Sequence, residues 1–162
     1  MKLLLKQKLL SFLDSFNVFY EDDSIAYTVK SRIALGKNMF VYDANGNNVA
    51  QLKQKVLKFL PTYEIYKEGT YMGCVKKKLT LFSPEYILDY KGWSIEGDIL
   101  GWNFSIYDNG TRIMSVEKEL LNLTDTYTID IADDANALEG LLIALAIDAE
   151  KRAVIGSHDD DI

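Results

Sequence analysis

The chain of 162 residues contains one cysteine and one histidine, and these two scarcities remove most familiar chemistries. Cys74 has no second cysteine to join, so neither an intrachain disulfide nor a thiolate metal cage is available. With His158 as the sole histidine, zinc centres and the usual nucleophilic triads lack their common parts. His158 itself stands in Gly156-Ser-His-Asp-Asp-Asp-Ile162, whose composition reads as a solvated acidic tail. Only two prolines occur, Pro61 and Pro84, each leading into a tyrosine-containing run. They mark corners, where a missing amide donor costs least. No stretch reaches the roughly 18 apolar residues of a membrane-spanning helix. The opening MKLLLKQKLLSFL is broken by Lys6 and Lys8 and has no cleavage site, so it reads as a first strand rather than a signal peptide, and a cytoplasmic protein is expected. Positive charge is also in deficit: 18 Lys and Arg face 24 Asp and Glu, for a net charge of −6. A general nucleic-acid binder needs a broad basic footprint, so that class is set aside.

What the chain has is tyrosine, ten of them, and a repeated phrase. Lys53-Gln-Lys-Val-Leu-Lys-Phe-Leu-Pro-Thr-Tyr63 aligns without gaps with segments starting at Lys6, Lys76 and Glu117, each running from a charged residue to an aromatic at Phe16, Tyr86 and Tyr127. A larger match pairs Leu35–Asp43 with Leu100–Asp108, both followed by an Asn-Gly turn, and suggests an internally duplicated architecture. Each unit is a strand, a corner and a returning strand. Alternation is clearest in Thr126–Ile131, where Tyr127, Ile129 and Ile131 share a face. Twelve short strands follow from this reading, near 3–9, 16–20, 25–31, 38–42, 48–57, 62–67, 71–80, 85–89, 92–97, 102–107, 111–121 and 126–131.

After the last strand the pattern changes. Acidic residues from Asp133 suit a helix start, a helix is expected over about 134–153, and Leu141 to Ile147 is apolar on every side. A helix apolar all round must be enclosed. The expected fold is therefore mainly β: a closed antiparallel barrel of about twelve strands, wide enough to enclose a helix some 10–12 Å across. Closure also removes exposed strand edges. Gly140 fits a place where a side chain would meet the barrel wall, and equally a mere tolerance of packing. Residues 1–155 are expected to form this barrel domain and 156–162 a disordered acidic tail.

The opening Lys6-Gln-Lys8, Leu57–Ile65, Gly92–Asp98, Tyr127–Asp133 and the apolar Leu141–Asp148 together, in this order and spacing, resemble the LURP-one-related (YxjI-like) family of the tubby C-terminal-like superfamily. The resemblance covers nearly the whole chain. It implies a twelve-stranded barrel around a central C-terminal helix. The tubby-like relatives bind phosphoinositides on a basic surface and the related scramblases act at membranes, but this chain lacks the scramblases' cysteine-rich and membrane-anchoring segments. The resemblance brings no catalytic residue.

Among candidate sites, Lys76-Lys77-Lys78 is the strongest basic signal, and Lys53, Lys55 and Lys58 lie on a repeat-related segment. Alternation sends Lys77 to the face opposite Lys76 and Lys78, leaving Lys53, Lys55, Lys76 and Lys78 as the ligand-binding candidates for an anionic lipid headgroup; the competing reading makes them solvated outer faces. Asp22-Asp23, Asp133-Asp134 and Asp159-Asp160-Asp161 lack calcium-loop spacing and suit turns, caps and tail. Glu96 and Asp98, flanked by Trp93 and Trp102, share a strand face, which a carbohydrate site could use and an ordinary strand equally explains. Cys74 reads as a small buried residue without a base, and Gly92, Gly97 and Gly101 have no nucleotide-loop spacing. No catalytic residue, metal ligand or cofactor is assigned. The expectation is a non-enzymatic binding protein for phospholipid or phosphoinositide headgroups, peripheral at the cytoplasmic membrane face. The alternative is a protein-interaction or regulatory scaffold without a ligand, recognised by an exposed apolar patch.

Overall fold

A computed structural model describes residues 1–6, 15–82, 85–119 and 126–156. All twelve expected strands form: β1 (Lys2–Lys6), β2 (Phe16–Phe19), β3 (Ile25–Ala34), β4 (Gly36–Asp43), β5 (Asn48–Gln54), β6 (Thr62–Lys67), β7 (Thr70–Lys78), β8 (Glu85–Asp89), β9 (Ser94–Asp98), β10 (Asn103–Asp108), β11 (Thr111–Glu119) and β12 (Thr126–Ile131). A single 3-10 turn, Asp134–Asn136, leads into α1 (Ala137–Gly156). The expected extensions of β1 beyond Lys6 and of β11 beyond Glu119, the corner at Pro84, and the tail with His158 and Asp159–Asp161 lie outside the described residues.

The strands form one antiparallel sheet in the order β8-β7-β6-β5-β4-β3-β2-β1-β12-β11-β10-β9. It curls into the expected twelve-stranded barrel, nearly closed: among the described residues no ladder joins β8 to β9. Both are five residues long and leave a tight turn in which Trp93 N donates to Tyr90 O at 2.9 Å. A cleft of about 360 Å³ lies beyond that turn, lined by Glu85, Tyr86, Ile95, Gly97, Asp98, Ile99 and Leu100.

Period-two alternation aims Leu3 and Leu5, Val41, Leu52, Ile65, Val75, Phe104, Ile106, Val116, Ile129 and Ile131 into the barrel, all buried. There they meet α1, in which every residue from Glu139 to Glu150 is buried. Each large side chain enclosed this way stabilises the fold by about 1.5–3 kcal/mol, so the helix supplies the centre of the core. At Gly140 a Cβ would lie 2.7 Å from Met114 Sδ, so the helix does approach the wall there as expected.

Because every connection reverses direction, the barrel has two unlike ends. At the turn end, the connections after β2, β4, β6, β8 and β10 are short. Asn109 and Gly110 both take positive φ in the β10–β11 hairpin. In the β4–β5 connection only Gly46 does, and the Asp43 carboxylate holds the loop by accepting from Asn45 N, Asn47 N and Asn47 Nδ2. At the corner end lie the connections after β3, β5, β7 and β9, of which those after β5 and β7 are the longest and the one after β3 is Leu35 alone. Two boundaries are corrected here. The β5–β6 register ends at Gln54 and Tyr63, so Lys55, Val56 and Leu57 lie beyond the strand rather than in it, and β7 stops at Lys78 rather than running to residue 80. Helix α1 starts at the turn end and finishes at the corner end.

Candidate functional site

The corner end brings the lysine candidates together. Lys53 is on β5, exposed, opposite Asn38 and Glu64 in the two flanking ladders. Lys55 stands just past β5, its N donating to Thr62 O at 2.9 Å, and Thr62 in turn faces Lys76 on β7. Lys78 follows on the same outer face. Lys77, as alternation requires, turns inward and donates to Glu150 Oε1 at 2.6 Å. Three of the four candidates have carboxylate neighbours: Lys55 with Glu64 at 3.3 Å, Lys76 with Asp89 at 3.4 Å and Lys78 with Glu85 at 2.9 Å. Such exposed pairs are worth little and rearrange at little cost. Among the described residues Lys53 has no ion-pair partner, and neither has Lys58 at the tip of the corner.

The same corners carry apolar side chains that the sequence reading had not placed in water. Leu57 is 99% exposed and Phe59 93% in the β5–β6 corner, and Leu81 is 92% and Phe82 97% exposed after β7. Leu35 between β3 and β4, with Ile33, Val56 and Leu79, is exposed as well. These corners form one continuous arc. Lys37 N donates to Gln54 Oε1 at 2.9 Å, and a Cβ on Gly36 would touch Gln54 O and Val56 Cγ1, so the first corner rests against the second. Lys77 N donates to Pro61 O at 3.0 Å, which ties the second to the third. The signal was present in the repeat itself. A repeat of two strands returns every copy to the same end of an antiparallel barrel, so the Lys-x-Lys-apolar phrases had to gather there.

Charge follows the same division. From Lys30 to Lys37, from Lys53 to Leu60 and from Lys76 to Phe82 there are basic residues and no acidic one. The turn end is the reverse, with Glu21, Asp22, Asp23, Asp43, Glu68, Asp108, Asp133 and Asp134 in or beside its connections, against Lys2, Lys91 and Arg112. Hydrogen bonds to the ionised form keep several of these charged. The Ser24 hydroxyl and amide hold the Asp22 carboxyl below its ordinary range, and the Asn47 side chain and amide do the same for Asp43. Lys67, at that end, is turned inward and so does not offset them at the surface.

Inside the barrel, ion pairs pin both ends of α1 to the wall. Glu139 Oε1 accepts from Lys67 Nζ at 2.7 Å and from the Tyr90 hydroxyl at 3.2 Å. Burial pushes this carboxyl up, but the Lys67 hydrogen bond and charge outweigh it and leave it below its ordinary range. Near the other end Glu150 accepts from Lys77 and, through Oε2, from the Tyr86 hydroxyl, whose own ionisation is pushed up by burial and by that carboxylate. Lys151 donates to the carbonyls of Ile99 and Leu100 at 2.9 and 2.8 Å and lies 4.4 Å over the Trp102 ring. These groups fix the helix axially.

The remaining candidates take structural positions. Trp93 packs edge-on against Tyr90 and Trp102 packs against Tyr127, both buried, so neither offers a stacking face beside Glu96 and Asp98. Asp98 accepts from Gly101 N at 2.9 Å and shapes the β9–β10 corner. Asp133 caps the helical turn by accepting from Ala135 N at 3.0 Å. Cys74 is buried. Among the described residues no three His, Cys, Asp or Glu side chains gather as metal ligands would, and no helix is long and apolar enough to cross a membrane.

Comparison with known proteins agrees with this architecture. The profile of a family described as LURP-one-related matches residues 1–148. The uncharacterised protein YxjI of Bacillus subtilis (strain 168) is 32% identical over 148 residues, which span 91% of each chain. A crystal structure of an Arabidopsis thaliana protein superposes with a TM-score of 0.59 over 91% of each chain at 12% identity, a likeness of fold alone.

Proposed function

The chain belongs to the LURP-one-related family, and from the polarity of its barrel we propose that it is a non-enzymatic binding protein that docks on anionic phospholipid, at the cytoplasmic face of a membrane, through the corner end. The observation that carries this reading is the segregation of charge by end. A net charge of −6 spread evenly would repel an anionic bilayer. The acidic connections of the turn end lie a strand length away, and the carboxylates nearest the corner-end lysines, Glu64, Asp89 and Glu85, are paired with Lys55, Lys76 and Lys78. Eight residues of β4 span about 26 Å, or about 20 Å along the axis of a barrel with tilted strands. At physiological salt the screening length is about 8 Å, so the surface facing the bilayer would feel the lysines and little of the distant carboxylates. Each lysine near an anionic surface contributes about 1 kcal/mol. Lys53 and Lys58 act first, and Lys55, Lys76 and Lys78 exchange a carboxylate neighbour for lipid phosphate.

Co-sedimentation tests this with vesicles of neutral lipid, neutral plus anionic lipid, and neutral lipid plus phosphoinositide, each at low and near-physiological salt. Pelleting is expected only with the charged vesicles, weaker as salt rises, and lost when Lys53, Lys55, Lys76 and Lys78 are all changed to glutamine in a protein that still melts cooperatively. A native protein that stays in the supernatant with every vesicle contradicts the reading. A second reading, a scaffold for protein partners, draws support from the exposed apolar side chains of the corners, the mark expected of it, and from the seam: among the described residues β8 and β9 each leave an edge without a ladder partner, and such edges accept an added strand. Capture of one partner protein that strand-breaking substitutions in β9 abolish, without any lipid binding, would favour it.

A further inference from the structure

Resting on that docking reading but going beyond its electrostatics, we infer that the three apolar corners are wedges that enter the boundary between headgroups and acyl chains, setting the barrel upright on the bilayer. The tips are almost wholly in water: Leu57, Phe59, Leu81 and Phe82 are each more than 90% exposed. Leaving such side chains hydrated is unfavourable, and a cluster of them marks an interaction surface. Their placement argues for one partner: they stand at the tips of neighbouring chain reversals, from the β3–β4 connection to the one that follows β7. Each tip is preceded along the chain by basic residues and by no acidic one, from Lys30, from Lys53 and from Lys76. Apolar groups outermost with cations one layer behind match a bilayer, whose anionic layer lies outside its apolar interior.

The corners are also held in place before contact. Lys37 N on Gln54 Oε1 and Lys77 N on Pro61 O fix their bases to one another, so insertion would order little additional backbone. At the far end, the short acidic turns leave only Ile25, Tyr71 and Met72 partly exposed nearby, and those lie on strands. The axis of α1 would then stand along the membrane normal with its C-terminal end toward the lipid. Lysines behind the tips would extend their amines to the phosphates while their stems lie along the inserted side chains.

Single tryptophans test the orientation: Phe59→Trp and Phe82→Trp at the corners, and Tyr71→Trp near the turn end. Native Trp93 and Trp102 are buried and provide a constant background. With vesicles containing anionic lipid and acyl-brominated neutral lipid, the two corner tryptophans are expected to shift to the blue and be quenched, and Tyr71→Trp to do neither. A Leu57→Ser/Phe59→Ser/Phe82→Ser variant should melt like the native protein, bind normally at low salt, and bind at least tenfold more weakly at near-physiological salt. If the corner variants pellet with anionic vesicles yet show neither shift nor quenching, insertion is overturned while docking stands. Quenching at Tyr71→Trp instead overturns the orientation, and no pelleting with any vesicle overturns docking and insertion together.

Discussion

Glu139 and Lys67 show how single residues hold this barrel. A carboxylate on an otherwise apolar, enclosed helix is tolerable only because a cation and a phenol reach it, and that requirement fixes the helix N-terminal half against β6. Changing Lys67→Met leaves the carboxylate buried without its cation. The expected cost is about 3 kcal/mol, the low end of the range for breaking a buried pair, because Lys67 keeps some contact with water. The double change Lys67→Met/Glu139→Leu should recover most of that loss, and chemical denaturation of the three proteins checks it.

The pH dependence follows from the same group. Glu139, Asp22 and Asp43 all have folded pKa values below their ordinary ones, so the stability they contribute is present above the unfolded carboxylate range, near pH 4, and is lost as pH falls through the lowered values. The melting temperature should be nearly level from pH 7 to 5 and fall below pH 4, and Glu139→Gln should make that fall shallower. None of this pairing was legible in the sequence. The acidic residues from Asp133 read there only as a helix start, since nothing in a linear pattern tells that Lys67 and Lys77, far upstream, meet carboxylates on the helix.

At the scale of elements, alternation made the strands readable, and an all-round apolar run made the helix readable. The two strands that stop short of their expected ends, β5 and β7, do so for one reason, whereas β3 runs on to Ala34, three residues past its expected end. Val56, Leu57 and Leu79 continue an apolar pattern past the point where Gln54 and Lys78 end their ladders, and hydrophobicity alone cannot distinguish a core strand from an exposed corner. Glycine carries a sharper message. Gly73 has φ +149° and a Cβ there would stand 2.1 Å from the Asp89 carbonyl oxygen, a backbone atom that cannot yield. Gly73→Ala is therefore expected to cost at least about 2 kcal/mol, within the range for forced overpacking. At Gly140 the obstacle is the flexible end of Met114, and alanine is the better helix former by about 1 kcal/mol, so Gly140→Ala should be close to neutral. Thermal melting of the two variants separates a rigid approach from a soft one.

For the whole molecule, the sequence showed the lysines but not the arrangement that gives them meaning. Net charge counts residues without regard to position, and a value of −6 conceals lysine-rich corners at one end and Asp-rich turns at the other. Topology supplies the position: twelve antiparallel strands with a two-strand repeat place every Lys-rich phrase at one rim and the Asp-rich turns at the other. The apolar tips were overlooked because aliphatic and aromatic residues beside a strand are ordinarily read as core.

Two variants that remove the same charge from opposite ends test this claim most directly: Lys53→Gln/Lys58→Gln at the corner end and Lys2→Gln/Lys91→Gln at the turn end. Binding to anionic vesicles should fall about tenfold or more for the first pair, as expected for two contacts of about 1 kcal/mol each, and stay near native for the second. Equal losses in both would mean that only net charge matters and would contradict a docking face at the corner end.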